Sequence, residues 1–212
     1  MTIKFTKLRL FITLNLIFVM IASPAYAKHI LIYGDSLSAA YGMQENQGWV
    51  YLLNEALSEN HQVSNASISG ETSAGGLARL PLTLDTFSPN IVVIALGAND
   101  GLRGYPTDVL EKNLIKMITL VNEAGATAVV AGISIPPSYG PRYIDQFRAV
   151  FPKVAKANNA HFFDLFRERF FTTKGYIQQD GLHPTPITQP VIRDIVKGFL
   201  IDEQLINAAQ TD

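Results

Sequence analysis

Residues 29–38 read HILIYGDSLS, and the order of residue types in this stretch decides the fold. His29–Tyr33 is an apolar run without polar alternation, the pattern of a strand covered on both faces. Gly34 permits a tight exit from that strand. Asp35-Ser36-Leu37-Ser38 then predicts the start of a helix, with Ser36 where backbone amides and the positive end of the dipole favour negative charge. The same residue types serve equally as a helix cap or a phosphate-binding turn, so this stretch alone leaves its chemistry open.

Further along the chain the apolar pattern recurs at Val63–Ala66, Ile91–Leu96, Thr127–Gly132 and His161–Phe163. Between these runs the spacing turns helical. Trp49, Leu52, Leu53, Ala56 and Leu57 form one stripe, and Val109, Leu110, Leu114, Met117, Ile118 and Val121 form another. Phe147, Val150, Val154 and Ala157 suggest a third, and Ile187, Val191, Ile195, Phe199 and Leu200 a last. Strands alternating with amphipathic helices predict a three-layer α/β/α domain around a mostly parallel five-stranded sheet. Gly101–Pro106 and Ser134–Pro141 read as long loops within it.

Composition supports a single core and removes several function classes. The 212 residues are 48% hydrophobic and 17% charged, which excludes a disordered chain. Seventeen Lys and Arg against eighteen Asp and Glu give a net charge of −1, and nothing favours a nucleic-acid partner. With no Cys, a thiol nucleophile, a thiolate metal site and a disulfide framework are all excluded.

Residues 1–27 have the three-part layout of a secretory signal peptide: basic Lys4, Lys7 and Arg9, an apolar stretch from Leu10 to Ala22, and Ala25-Tyr26-Ala27 as the cleavage site. The apolar stretch is shorter than the roughly 20 residues a membrane span requires. The expectation is a single mature domain, 28–212, periplasmic or secreted, without a stable membrane anchor. Cleavage would remove three cationic and no acidic residues, leaving a net charge of −4.

In an open parallel sheet ligands collect outside the carboxyl ends of the strands, so the residues after each strand are the ones to question. Of the four histidines, His29 and His161 begin strands at the opposite edge, and His61 ends the first helix in an expected solvated position. His183 remains. Asp180, three residues before it across a Gly-containing turn, can accept from one imidazole nitrogen and leave the other facing outward; an Asx-turn or helix cap accounts for the same spacing. Ser36 is the candidate nucleophile, although its flanks are not those of a Gly-x-Ser-x-Gly elbow. Asp35 is better suited to hydrogen bonding within the site than to orienting the histidine. Gly70 after the second strand offers a backbone amide, and Asn99 after the third offers a carboxamide, the donor types an oxyanion hole needs.

These blocks resemble the GDSL family of SGNH hydrolases over essentially the whole mature chain. Gly34-Asp35-Ser36-Leu37, Gly70, Gly97-Ala98-Asn99-Asp100 and Asp180-Gly181-Leu182-His183 fit its four blocks in order. The strings Asn65–Gly70 and Asn99–Gly104 are similar to the bacterial periplasmic thioesterase, arylesterase and lysophospholipase branch. Ala40 and Ala98 depart from it, standing where many relatives have Gly. The resemblance implies a flavodoxin-like fold, Ser36 as nucleophile, His183 as general base then acid, and Asp180 as its orienting partner. It places the oxyanion hole at the Ser36 and Gly70 amides and the Asn99 side chain. It implies neither metal nor organic cofactor, and a small-molecule acyl ester or thioester as substrate, with no obligate protein partner evident.

For the acyl or aryl group, Leu102, Arg103 and Tyr105 form a glycine-flanked segment able to move over the site. Ile135, Pro136 and Tyr139 form an apolar wall. A carbohydrate O-acetylesterase or acyltransferase on the same fold is the nearest rival reading. A non-enzymatic binding module that holds an anion at the first turn is the more distant one.

Overall fold

A computed structural model describes residues 27–207 of the chain; the expected signal peptide lies outside them apart from Ala27. Among the described residues no helix is long and apolar enough to cross a membrane. The elements run β1 (His29–Gly34), α1 (Trp49–Leu57), β2 (Gln62–Asn65), α2 (Ser73–Phe87), β3 (Ile91–Ala95), α3 (Ala98–Leu102), α4 (Thr107–Glu123), β4 (Thr127–Ile133), α5 (Pro141–Ala157), β5 (His161–Phe166), α6 (Arg169–Thr172) and α7 (Gln189–Asp202).

All five strands pair in parallel, in the order β2-β1-β3-β4-β5. Their apolar runs are explained by cover on both faces: β1, β3 and β4 are buried almost throughout. Helices α1 and α7 pack together, while α2 packs on α4 and α4 on α5, giving the three layers. The chain passes from β1 to β2 on one side and then crosses to β3 on the other. The switch point therefore falls between β1 and β3, where a crevice opens at the carboxyl ends.

The buried stripes are Trp49, Val50, Leu53 and Leu57 on α1, and Leu110, Leu114, Met117, Ile118 and Val121 on α4. Helical spacing thus predicts the covered faces of α1, α4 and α5, apart from two residues. Val109 is exposed in the first turn of α4, and Ala157 is exposed at the end of α5, whose buried face is Ile144, Phe147, Val150, Phe151, Val154 and Ala155. On α7 the expected stripe is displaced: Ile187 lies outside the helix and is exposed, Val191, Ile195 and Phe199 are half-buried, and the covered apolar face is Ile192, Val196 and Leu200.

Three further sequence expectations change. Helix α2 is not apparent in the sequence, because Gly75, Gly76 and Pro81 interrupt its pattern. It is started by Thr72, whose side chain accepts from the Gly75 N–H, and tied to the sheet by the buried Tyr33 hydroxyl, which donates to the Gly76 carbonyl at 2.6 Å. His61 is buried, not solvated, and its Nδ1 accepts from the Lys28 N–H at 3.1 Å; burial lowers its pKa.

The third change concerns the expected helix after β1. Residues 36–42 form consecutive turns, and the first α-helix begins only at Trp49. The Asp35 side chain caps a first turn, its Oδ1 accepting from the Leu37 N–H at 3.0 Å while its carbonyl accepts from Ser38 and Ala39. The turn goes no further because Ala40 and Gly42 take left-handed conformations, φ +54° and +74°, which a right-handed helix does not contain. No α-helix therefore begins at Ser36.

Gly34 is required for lateral space. A Cβ there would sit 2.8 Å from Ser38 Oγ, 3.0 Å from Ser67 Oγ and 3.1 Å from the Ala95 carbonyl oxygen on β3. Gly34→Ala is expected to destabilise the fold by about 1–3 kcal/mol through overpacking, measured as a lower urea midpoint at unchanged m-value.

Candidate active site

Four segments from separate parts of the chain meet at the carboxyl edge: the turn after β1, the loop after β2, α3 after β3, and the loop before α7. Ser36 Oγ lies 2.9 Å from His183 Nε2, across 147 positions of sequence. His183 Nδ1 lies 2.6 Å from Asp180 Oδ2. An ionised carboxylate only accepts, so Nδ1 carries the proton toward Asp180 and Nε2 is left to accept from the Ser36 hydroxyl.

The local sequence around His183 explains its aim. Asp180 Oδ1 accepts from the Leu182 and His183 amides at 2.9 and 3.0 Å, an Asx-type turn that fixes the carboxylate before it meets the ring. The turn reading and the orienting reading of Asp180 are both satisfied, one by each oxygen. Partial burial pushes this carboxyl up, but the hydrogen bonds from the His183 ring and from the two amides outweigh it and hold it below the usual range. A short antiparallel bridge between Ile177 and Pro184 closes the loop. The Gln178 side chain joins it to the first turn: Nε2 donates to the Tyr41 carbonyl at 2.9 Å and to the Pro184 carbonyl at 3.0 Å.

On the other side of Ser36 stands Asn99. The sequence places it in a loop; the structure places it in the short helix α3. Its Nδ2 donates to the Glu71 carbonyl at 2.9 Å and, at a longer 3.3 Å, to Asp35 Oδ2. Gly70 adopts φ +80°, a left-handed turn conformation that favours glycine. A Cβ there would meet nothing within 4 Å, so its conformation, not crowding, explains the residue. The Arg103 guanidinium donates to the Gly70 carbonyl at 3.3 Å.

Asp100, next to Asn99, is buried and accepts from both the Ser73 N–H (2.8 Å) and the Ser73 hydroxyl (2.5 Å). Asn113 in turn donates to Ser73 Oγ at 2.9 Å. Helix α3 and the Arg103 that follows it thus grip residues 70–73 at Gly70, Glu71 and Ser73. The grip through Asp100 could not be read from its motif, because Ser73 lies 27 residues away in sequence.

A small, mostly apolar cleft opens beside Ser36 and His183. Of the residues expected to contact substrate, Leu102, Ile135 and Pro136 line it. Arg103, Tyr105 and Tyr139 do not. Tyr139 instead donates its hydroxyl to the Leu102 carbonyl, and Tyr143 donates to Tyr105, both at 2.9 Å. These bonds lash the 102–105 segment to the start of α5. Gly101 is packed, not hinge-like: a Cβ would come within 2.8 Å of Phe147 and 3.0 Å of Ile135. Sequence reading missed Leu37, Ala98, Ser134, Phe166, Phe171 and Leu182 in the lining. Continued apolar character in Leu165-Phe166 was the one signal that β5 ran far enough to reach it.

Asp35 is fully buried, and burial pushes its carboxyl up to about 7, against the hydrogen bonds from Leu37 and Asn99.

A parallel α/β/α sheet carrying this hydroxyl, imidazole and carboxamide around an apolar cleft has the layout of an acyl-transfer hydrolase. The family model for the GDSL-like Lipase/Acylhydrolase family matches residues 32–189, and the chain belongs to that family. It is 44% identical over 193 residues to an arylesterase of Vibrio mimicus, covering 90% of this chain and 96% of that protein. It is 41% identical over 170 residues to thioesterase 1/protease 1/lysophospholipase L1 of Escherichia coli (strain K12), covering 80% and 82%. The crystal structure of TesA matches with a TM-score of 0.79 at 44% identity, covering 82% of this chain and 98% of that one. The chain is accordingly an ester hydrolase.

The buried Asp35 carboxyl makes stability depend on pH. The native chain holds this proton up to about pH 7, whereas the unfolded chain releases it near 3.8. Native stability therefore falls as pH rises between those values. Asp35→Asn removes that slope, so the melting temperature of the variant relative to the native chain should climb from pH 4.5 to 7.5 and level off above. Melts at a series of pH values test this; a difference that stays flat would contradict it.

Proposed function

We propose that the chain is an exported serine esterase that hydrolyses carboxylic esters and thioesters through an acyl-serine intermediate. The observation that carries this reading is the unbroken series from Ser36 Oγ to His183 to Asp180, at 2.9 and 2.6 Å. Relatives named for aryl esters, thioesters and lysophospholipids support the substrate class, and so does a cleft walled by Leu37, Leu102, Ile135 and Phe171.

The distances among Ser36, His183 and Asp180 support the following steps. His183 Nε2 removes the Ser36 proton as Oγ attacks the carbonyl carbon, and the imidazolium that forms is stabilised by Asp180. The carbonyl oxygen becomes an oxyanion, held by the Ser36 and Gly70 amides and the Asn99 carboxamide. Asn99 must redirect one N–H to do this. The bond to Asp35 is the longer of its two and is the one to yield. His183 then protonates the departing alcohol or thiol, and water admitted at the open cleft repeats the cycle on the acyl-serine.

Export rests on residues 1–27, whose basic head, apolar stretch and Ala-x-Ala site suit cleavage after Ala27. The mature protein would be the single domain 28–212, and its intact mass from the periplasm or medium should begin at Lys28. Retention of the first 27 residues would contradict this.

The catalytic assignment is tested with p-nitrophenyl esters of graded chain length and an acyl thioester. Ser36→Ala should abolish turnover on all of them. Asn99→Ala should lower kcat by about 10²–10³-fold. Native rates in Ser36→Ala would end this reading.

A further inference from the structure

Tyr41 lies in the turn after Ser36, half exposed, and its ring stacks on the His183 imidazole with centroids 4.1 Å apart and planes 29° from parallel. Nothing in the proposed triad requires it. Its position is nevertheless held firmly. Gln178, from the histidine loop, donates to the Tyr41 carbonyl, and the Gln178 N–H donates to the His183 carbonyl at 2.8 Å. One side chain and one amide of the same residue thus anchor both stacked partners. The preceding Ala40 is held at φ +54°, a left-handed conformation costly for a residue with a side chain and kept only where the surroundings enforce it.

We propose that Tyr41 is a positioning residue acting through His183, presenting its π face to the imidazolium formed as Ser36 is deprotonated. An aromatic face attracts a cation more strongly than the neutral ring of the resting state. The stack therefore strengthens as the reaction approaches its transition state, which is the condition for raising kcat without tightening substrate binding. The phenol hydroxyl has no part in this, since the ring face makes the contact. Carried on the nucleophile's own turn, the ring also keeps the imidazole from swinging away from Ser36.

The inference rests on the catalytic reading above, and the experiment separates the two. Tyr41→Phe should retain native kcat on p-nitrophenyl acetate. Tyr41→Leu, which keeps apolar cover but loses the π face, should lower kcat by about 3- to 30-fold, with KM and melting temperature unchanged. Phenylalanines of increasing fluorination at position 41 should lower kcat in steps. Leu and Phe variants of equal kcat would overturn the role of Tyr41 while leaving the triad intact, provided Ser36→Ala is inactive. Activity in Ser36→Ala would overturn both.

Discussion

The parallel pairing of β1 with β3 is the constraint on which the site depends. Gly34 is registered against Ala95, so the chain leaves both strands at the same level, one toward Ser36 and the other toward Asn99. A hydroxyl and a carboxamide separated by 63 residues of sequence are thereby delivered side by side, before any hydrogen bond between loops is considered. The absence of a Cβ at Gly34 is what lets the two exits lie this close. Burial of both strands makes the register rigid, since each side chain is close-packed against a helix layer and a slip would leave voids and overlaps on both faces.

Electrostatics at this crossing are unusual for a protein interior. Asp35 and Asp100 are both buried beside Asn99, the first accepting a bond from it and the second following it in the chain, and neither is paired with a cation among the described residues. Each is satisfied by neutral donors: Asp100 by the Ser73 amide and hydroxyl, Asp35 by Leu37 and Asn99. Neutral donors around a negative centre are also what a developing oxyanion requires. A fully ionised Asp35 would repel that oxyanion, and its burial, which favours the protonated form, works against this repulsion. Asn99 stands between the two demands, serving Asp35 in the resting site and free to serve the oxyanion during turnover.

Much of the fold was legible because its cause is local. The strand runs have near-continuous apolar patterns and α1, α4 and α5 have periodic stripes, so both announce their burial. Helix α2 was hidden because Gly75, Gly76 and Pro81 lower its propensity, and only packing on Tyr33 and α4 makes it helical. The turn at Ser36 was misread as a helix because Asp35 favours helix starts and Asx-turns alike, and nothing in the sequence decides between them. Residue types and their order pointed to Ser36, Asn99, Asp180 and His183. The cleft wall was legible only in part: Ile135 and Pro136 follow a strand directly, whereas Phe166 and Phe171 come from the far end of β5 and from α6. Arg103, Tyr105 and Tyr139 looked like substrate contacts by composition, but two of the three hold backbone carbonyls instead.

Sites carried on helices and strands inherit their precision from the scaffold, whereas loops must be fixed by other means. Here the nucleophile sits in a run of turns and the histidine in a loop closed by one bridge, with no regular element joining them. Long-range side-chain bonds supply the missing rigidity. Gln178 ties the loop of the base to the turn of the nucleophile, Gln189 on α7 accepts from the Trp49 amide at 3.0 Å, and the Trp49 indole donates to the Leu37 carbonyl at 3.0 Å. Each bond spans a gap the backbone leaves open, and each ends on a residue within a few positions of Ser36 or His183. An arrangement of this kind fixes the distance between hydroxyl and imidazole while leaving the cleft beside them open to an acyl chain.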